Sequence, residues 1–555
     1  MKKNMLAGSS YGLPLLFLLF IGLFLFTEAI LNVTPPITRD ALIHHLAIPK
    51  IWLHHQTLHP IPWSNFSYYP MNIQLLYMVC LWIGSDILPK FIHMLFGLGC
   101  GFLIFKFIKD RLGKIWGLLG FSMFLSLPVV VWLSTAAYVD LGLTFFTTAS
   151  MIYLIRFQWD NPEQINNLAC SAICMGVALG IKYNALIVFA FFNIAIFYMT
   201  YNNTHTVKKS IIYTLIFFLI ASVIASPWFI RNAIHTGNPF YPLFNSVFHH
   251  ISDITEHPLY CTDMAPVFSL SSISIRKILF NESFFETVTI PIRMFFEGND
   301  SEYQYFQGQL NPMLILFVPF ILQPATRQSW MKIMAAFIFF YGYVAFFTTM
   351  HQVRYLLPIL PFLCILSVYG LHGLFHMIQS SKSHLSTTGK YCVLTLLVVL
   401  FSLNIKYLCN HFQRIDPFPY ISKKESRVDY LRRHLGHYQS FEYINAHLPD
   451  NSRILTLFLG QRGYYLDRVY KHEPLFGMNV IQCMVKKSHS EASFKEYIDQ
   501  MDITHILTRN DILTNYLNDR FAQSDRQHLN RCVQKFFHQV MSFDNYTLWG
   551  RVETP

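Results

Sequence analysis

The chain has 555 residues, 53% of them hydrophobic and only 13% charged, with a mean hydropathy of +0.35. Soluble domains carry about 25% charged residues, so the composition argues against a soluble enzyme and for a polytopic membrane protein. The formal charge of +11 comes without polybasic runs, which speaks for membrane topology rather than nucleic acid. The 52 Phe and 30 Tyr beside 31 acids describe a surface that mostly faces lipid. Ten Cys without a CxxC pair support neither a disulfide scaffold nor a zinc ribbon. Cys170 and Cys174, four apart in an apolar run, read as helix packing.

A membrane helix needs about 20 mainly apolar residues to cross a core of about 30 Å. The first such run, Tyr11 to Leu31, follows Met1-Lys2-Lys3 and reads as a retained signal anchor. The stretch 32–70 is rich in Pro, His and aromatics and cannot cross, and Met71 to Ile83 is too short, so it is laid along the surface. Spans are then expected at 90–108, 115–134, 141–157, 166–181, 184–201, 210–229, 312–324, 332–350, 356–377 and 391–409, eleven crossings with the first. Lys2, Lys3, Lys106, Lys109, Arg111, Lys114, Lys208, Lys209, Arg327, Lys332, Lys382 and Lys390 fall on one side, whereas the loop from Asn232 to Leu310 is acid-rich. By the positive-inside rule the basic side is cytoplasmic. The expected organisation is therefore a membrane domain, 1–409, with external loops 32–90 and 230–311, and an external tail domain, 410–555.

In the tail the charge density rises and long apolar runs stop. Phe441–Leu448, Ser493–Gln500 and Asp511–Phe521 read as helices, and Arg453–Leu459, Ile503–Thr508 and Tyr546–Val552 as strands. About 145 residues suffice for a small α/β domain with its own core. Tyr464-Tyr465-Leu466-Asp467-Arg468 is its most distinctive run and reads as fold-defining rather than acceptor-binding.

Two acids near the external membrane surface need a reason. Asp40 follows the first span in Thr38-Arg39-Asp40-Ala41-Leu42-Ile43-His44-His45, and Asp140 sits in the short link before the fourth span. Together they would deprotonate a hydroxyl, orient a sugar or hold a divalent cation; the plainer reading makes each a helix N-cap. Lys182, Arg231 and Arg354 lie at external helix ends. Singly each reads as an interfacial snorkelling residue; converging, they suit a lipid-linked phosphate. His44, His45, His54, His55 and His59 crowd the first loop, but two adjacent pairs ten apart are not a zinc pattern, and no metal ligand is assigned. His44 or His45 lies about one helical turn from Asp40, within reach to assist it.

The ordered set Thr38–Leu46, Tyr68-Tyr69-Pro70, Tyr138-Val139-Asp140, Gly176–Tyr183, Gly237-Asn238-Pro239-Phe240-Tyr241-Pro242 and Arg354-Tyr355-Leu356-Leu357-Pro358 resembles the GT-C superfold. The branch it resembles is that of the bacterial protein-mannosyltransferase-like glycosyltransferases that use polyprenyl-phosphate sugars. The resemblance covers roughly the first 360 residues. It implies a polytopic α-helical enzyme of the bacterial inner membrane that moves a sugar from a polyprenyl-phosphate carrier, on the external face, to an envelope glycan, lipid or protein. Asp40 matches the catalytic base and Asp140 the acceptor-orienting or metal-associated acid. Lys182 and Arg354 match cations near the carrier phosphate, and Arg39, His44, His45, Tyr69, Tyr183, Arg231 and Tyr355 complete the candidate substrate-binding set. Ala41 stands where many members have a second acid, so a divalent metal is an option that is not favoured, and no other cofactor is implied. Flippases, transporters and glycan polymerases are the rival class. Transporters place ionisable groups at mid-membrane, whereas here these groups collect at helix ends.

Overall fold

The computed structural model describes residues 12–61, 63–160, 164–245, 247–248, 272–324, 327–348, 351–380, 385–472 and 478–552. The first half is helical: α1 (Gly12–Asn32), α2 (Ala47–His55), α3 (Asn72–Trp82), α4 (Leu88–Leu112), α5 (Lys114–Leu125), α6 (Pro128–Ser134), α7 (Asp140–Ile155), α8 (Ile165–Leu179), α9 (Ala185–Thr204) and α10 (Val207–Thr236). The large loop carries α11 (Ser272–Phe280), α12 (Phe284–Val288), α13 (Ile290–Arg293) and α14 (Met313–Leu316). Three long helices follow, α15 (Ser329–Thr348), α16 (Leu360–Ser380) and α17 (Leu385–Ile415).

Seven helical segments among the described residues are long and apolar enough to cross a membrane, or eight if the bent pair α5–α6 is one span. The molecule is an integral membrane protein. The 67° bend between α5 and α6 falls at Leu127-Pro128, where proline removes a backbone donor and drives the residue before it into extended geometry. The remaining expected crossings fall on shorter helices. The segment expected at 312–324 is two short pieces, α14 and a 3₁₀ turn over Val318–Leu322 with Pro319 in its first turn. The segment Val353–Ser380 is packed almost entirely inside protein, whereas α1 keeps most of its surface outward. A helix that is apolar all round and buried is the centre of a bundle, and one left apolar and exposed faces lipid.

Small residues set the closest crossing near the site. A Cβ at Gly176 would approach the Ala221 carbonyl at 2.8 Å, and one at Gly180 would collide with the Asn72 amide. Glycine there lets α8 press on α10 and lets the Asn72 N–H reach the Gly180 carbonyl at 2.8 Å.

The tail opens with α18 (Phe418–Ile421), α19 (Arg427–His434) and α20 (Tyr438–His447) and is built on a five-stranded sheet. Its strands are β1 (Arg453–Leu457), β2 (Val469–His472), β3 (His505–Arg509), β4 (Phe537–Phe543) and β5 (Tyr546–Arg551), in the order β2-β1-β3-β5-β4. β1 pairs in parallel with β2 and β3; β5 pairs antiparallel with β3 and β4. All six expected tail elements are present, displaced by at most a few residues. β2, β4 and the helices Met478–Lys487 and Gln523–Phe536 add to them.

The tail docks on the first external loop through the run Tyr464–Arg468. The Tyr464 N–H donates to the Leu42 carbonyl at 3.2 Å, the Tyr465 hydroxyl to the Pro36 carbonyl at 2.8 Å, and Lys50 meets Asp467 at 2.6 Å. Arg468 turns back into the tail, onto the Leu448 and Asn445 carbonyls. The run is an internal fastener that clamps the segment bearing Asp40.

Candidate functional site

The chain leaves α1 at Asn32 and re-enters a helical turn at Ala41–His45, with Asp40 immediately before it. The Asp40 side chain makes no cap hydrogen bond, so the N-cap reading does not describe it. It faces Arg354 instead, with Oδ2 2.5 Å from the guanidinium Nη1. Arg354 arrives from the 3₁₀ turn Val353–Ile359 that leads into α16, and its Nε is held by Gln352 at 2.8 Å. Burial alone would raise the Asp40 pKa, but Arg354, His44 and Lys182 outweigh it and hold the carboxyl well below its usual 3.8.

Asp140 opens α7 without capping it. Its Oδ1 accepts from Lys182 at 2.7 Å, while its Oδ2 is buried without a partner. Lys182 comes from the turn between α8 and α9, placed by the close approach of Gly176 to α10 and of Gly180 to Asn72 of α3. The two ion pairs share walls: Lys182 lies 5.0 Å from the Tyr355 ring centre, and Arg354 lies over Tyr355 at 5.1 Å and Tyr138 at 5.4 Å.

His44 senses both acids and both cations, and burial in that company drives its pKa down to about 4. It is therefore neutral at pH 7, stacked on Phe66 at 4.3 Å with Nδ1 unpartnered. His45, also driven down by burial, is held through Nδ1 by Gln74 at 3.0 Å. Two buried polar atoms in one cluster, Asp140 Oδ2 and His44 Nδ1, thus have no protein partner, and such groups are costly unless a ligand or water meets them.

Six expected site residues, Asp40, Asp140, Lys182, Arg354, Tyr355 and His44, meet in this cluster, with His45 beside it. The others lie elsewhere. Tyr183 donates to the Tyr241 carbonyl at 2.6 Å, receives Asn232 at 3.0 Å and packs on Tyr69 at 5.2 Å. Arg231 donates to the Ser67 carbonyl at 2.9 Å and lies over Trp52 at 5.5 Å, with Nη2 unpartnered. These residues form a knot of one cation with amides, phenols and carbonyls that ties α10 and the Asn238–Pro242 turn to the loop at Ser67-Tyr68. Gly237, at φ +69°, makes the left-handed exit from α10 that starts this turn. Arg39 points away from Asp40 and donates to the Tyr303 hydroxyl at 3.3 Å.

Two contributors escaped the sequence reading. The Tyr138 hydroxyl accepts the Asp40 N–H at 3.2 Å, and its backbone carbonyl receives Tyr77 at 2.5 Å. His93 takes the Leu141 N–H at 2.9 Å on Nε2 and meets the Leu133 and Ala136 carbonyls through Nδ1, which fixes the start of α7. The available signals were a lone histidine inside an apolar span and a tyrosine two residues before the second acid. Among the described residues, no three His, Cys, Asp or Glu side chains gather as a metal site requires.

The fold is that of the GT-C superfold. The family model for dolichyl-phosphate-mannose-protein mannosyltransferase matches residues 85–247. The structure resembles ArnT from Cupriavidus metallidurans bound to undecaprenyl phosphate, with a TM-score of 0.55 at 13% identity, over 97% of this chain and 98% of that one. It also resembles the archaeal oligosaccharyltransferase AglB from Archaeoglobus fulgidus, in complex with an inhibitory peptide and a dolichol-phosphate. That likeness has a TM-score of 0.52 at 11% identity and spans 96% of this chain and 74% of the other. No curated protein matches the sequence.

Proposed function

We propose that the protein is an inverting membrane glycosyltransferase that moves a sugar from a polyprenyl-phosphate carrier to a nucleophilic acceptor of the cell envelope. The observation that carries this reading is the cluster itself: two acids, each neutralised by its own cation, with two buried polar atoms left without a protein partner. The matched family and the ArnT and AglB structures, solved with polyprenyl or dolichyl phosphates, agree with a phosphate-linked donor.

In the proposed step, Asp40 takes the proton of an acceptor hydroxyl or amine while that group attacks the anomeric carbon. The bond from that carbon to the phosphate oxygen breaks, its electron pair leaves with the phosphate, and configuration inverts because attack comes from the opposite face. Arg354 cannot serve Asp40 and the phosphate equally well at once. Donor binding draws its guanidinium toward the phosphate, which frees Asp40 as a stronger base, while Lys182 adds the second cation. Asp140 Oδ2, an acceptor, and His44 Nδ1 are the polar atoms left to meet sugar or acceptor hydroxyls.

The proposed placement is a bacterial inner membrane, with the N-terminus cytoplasmic, residues 1–409 forming the membrane domain and residues 410–555 the external domain. The acid-rich loop and the lysine and arginine distribution support that orientation. Cys483 of the tail is disulfide-bonded, which suits an oxidising compartment.

The test is a mass comparison of envelope glycolipids and glycans from cells carrying the wild type, a deletion, or Asp40→Asn at matched expression. A sugar absent from both the deletion and the Asp40→Asn cells supports the assignment and identifies the acceptor. Full restoration by Asp40→Asn would sink it.

A further inference from the structure

Behind the Asp40 cluster lies a cavity of about 230 Å³ whose lining includes Thr38, Lys90, Trp132, His411, Arg414 and His434. It forms where the end of α1, the start of α4, the end of α17 and tail helix α19 meet. It borders the site through Thr38, two residues before Asp40, and through Trp132, whose ring packs edge-on against Tyr138 at 5.8 Å.

The charges in this cavity do not cancel. Arg414 is matched by Asp300 at 2.9 Å, and Asp300 also accepts from the Tyr407 hydroxyl at 2.6 Å. Arg414 donates to His411 Nδ1 at 2.9 Å, so the ring proton sits on Nε2, which meets Thr135 at 2.8 Å, and the ring is neutral. Lys90 is 4% exposed, and among the described residues its ammonium hydrogen-bonds only the Leu31 carbonyl at 3.0 Å and the Thr34 hydroxyl at 3.3 Å. Among the described residues no carboxylate lies within 4.0 Å of it; Asp86, nearby in sequence, is engaged by Arg427 at 2.5 Å. A buried cation without a counter-charge is expensive. Thr38 Oγ1 and His434 Nε2 are also buried without a partner.

We infer that this cavity is a second phosphate site, separate from Lys182 and Arg354, that seats a lipid-borne phosphate next to a free hydroxyl. Lys90 meets the phosphate oxygens, and His434 Nε2 and Thr38 meet the hydroxyl. The volume suits a headgroup rather than an acyl chain, and Leu31, Ile37 and Ile415 supply apolar walls for the start of the chain. On the transferase reading above, on which its role rests, the site holds the acceptor beside the base.

The test uses native mass spectrometry of the full chain in detergent, with no transfer reaction, so a failed transferase assignment leaves it intact. The probe is lysophosphatidic acid, a phosphomonoester beside a hydroxyl; monoacylglycerol lacks the phosphate and sn-glycerol 3-phosphate lacks the chain. Wild type should bind lysophosphatidic acid and not monoacylglycerol. Lys90→Gln should weaken binding by roughly tenfold, as loss of a charge-assisted hydrogen bond does. Lys90→Arg should retain binding. Thr38→Val, which keeps the charge, should weaken it several-fold and covers the case in which Lys90→Gln does not fold. Competition by equimolar sn-glycerol 3-phosphate assigns the site to a soluble phosphate ester, and its failure assigns it to a lipid-borne one. Equal binding in wild type, Lys90→Gln and Thr38→Val, or equal binding of monoacylglycerol, overturns the proposal.

Discussion

Arg354 and Arg231 both sit where an apolar helix meets the expected external surface, yet they are used in opposite ways. Arg354 is committed to a carboxylate 2.5 Å away, in a cluster that also holds a second acid, a second cation and two unpartnered polar atoms. Arg231 donates to the Ser67 and Leu58 carbonyls and belongs to a knot built from amide and phenol groups. A cation paired with an acid exchanges partners when a phosphate arrives. A cation bonded to carbonyls that have no other donor has far less to gain from moving. Similar positions in sequence therefore encode machinery in one place and scaffolding in the other.

The widest gap should appear in turnover. A positioned base contributes about 10²–10⁴-fold, so Asp40→Asn should lose that much kcat per folded molecule, and it should also melt earlier because Arg354 is left without its carboxylate. Arg231→Met should keep kcat per folded molecule and lose about 1.5–3 kcal/mol of stability, the usual worth of hydrogen bonds from a charged donor. Purified enzyme assayed with a polyprenyl-phosphate sugar, alongside a denaturation series, reads both. An Arg231→Met enzyme that melts normally but does not turn over would erase the distinction.

The next effect is on stability within the cluster. Asp140 and Lys182 are buried, with side-chain exposures of 3% and 18%. Removing one partner strands the other charge and costs about 3–5 kcal/mol. Asp140→Ala should therefore unfold markedly earlier than Lys182→Met/Asp140→Leu, in which neither charge remains. If the double variant is the less stable of the two, the pair is held by something other than mutual neutralisation.

Acidity sharpens the same contrast. The Asp40 pKa lies below its unfolded value of 3.8 because of Arg354, His44 and Lys182. The stability it contributes is thus complete above pH 3.8 and is lost as pH falls through the lower folded value. The acid limb of kcat/KM, which reports free enzyme, should lie below 3.8. The limb of kcat should sit higher, because Arg354 has turned to the donor. Arg354→Met should raise the limb in kcat/KM, since burial then dominates. Coincident limbs in the wild type would argue that Arg354 never leaves Asp40.

Much of this was legible in the sequence, for identifiable reasons. Charge is scarce in this chain, so an acid beside a membrane helix stands out, and Asp40, Asp140, Lys182 and Arg354 could be named from position alone. Helices such as α4 and α10 are readable because lipid demands a continuous apolar run. The partners were not legible. Asp40 and Arg354 lie 314 residues apart, and nothing in spacing says that Lys182 answers Asp140 and not Asp40. His93, and any role for Tyr138 beyond its place in the Tyr138-Val139-Asp140 motif, are not legible because their side chains act on backbone groups, which every residue shares. In the tail, the short strand β2 and the amphipathic helix Gln523–Phe536 carry too little pattern to declare themselves without the sheet they pack on.

The smallest expected effect concerns the clamp between the tail and the Asp40 loop. Lys50 and Asp467 are 37% and 57% exposed, so solvent screens them and the pair is worth about 0–1 kcal/mol. Asp467→Asn should leave stability and turnover within error, because the Lys50 ammonium keeps the Tyr464 carbonyl at 2.8 Å. Tyr465→Phe removes the hydroxyl that reaches Pro36, buried between tail and loop, and should cost about 1 kcal/mol. Pro36 lies only four residues before Asp40, so a loosened clamp should also lower kcat several-fold without changing KM for the donor, whose phosphate is proposed to meet Arg354 and Lys182 rather than the clamped segment. A Tyr465→Phe enzyme with unchanged kcat would show that the tail fastens to the membrane domain without tuning the base.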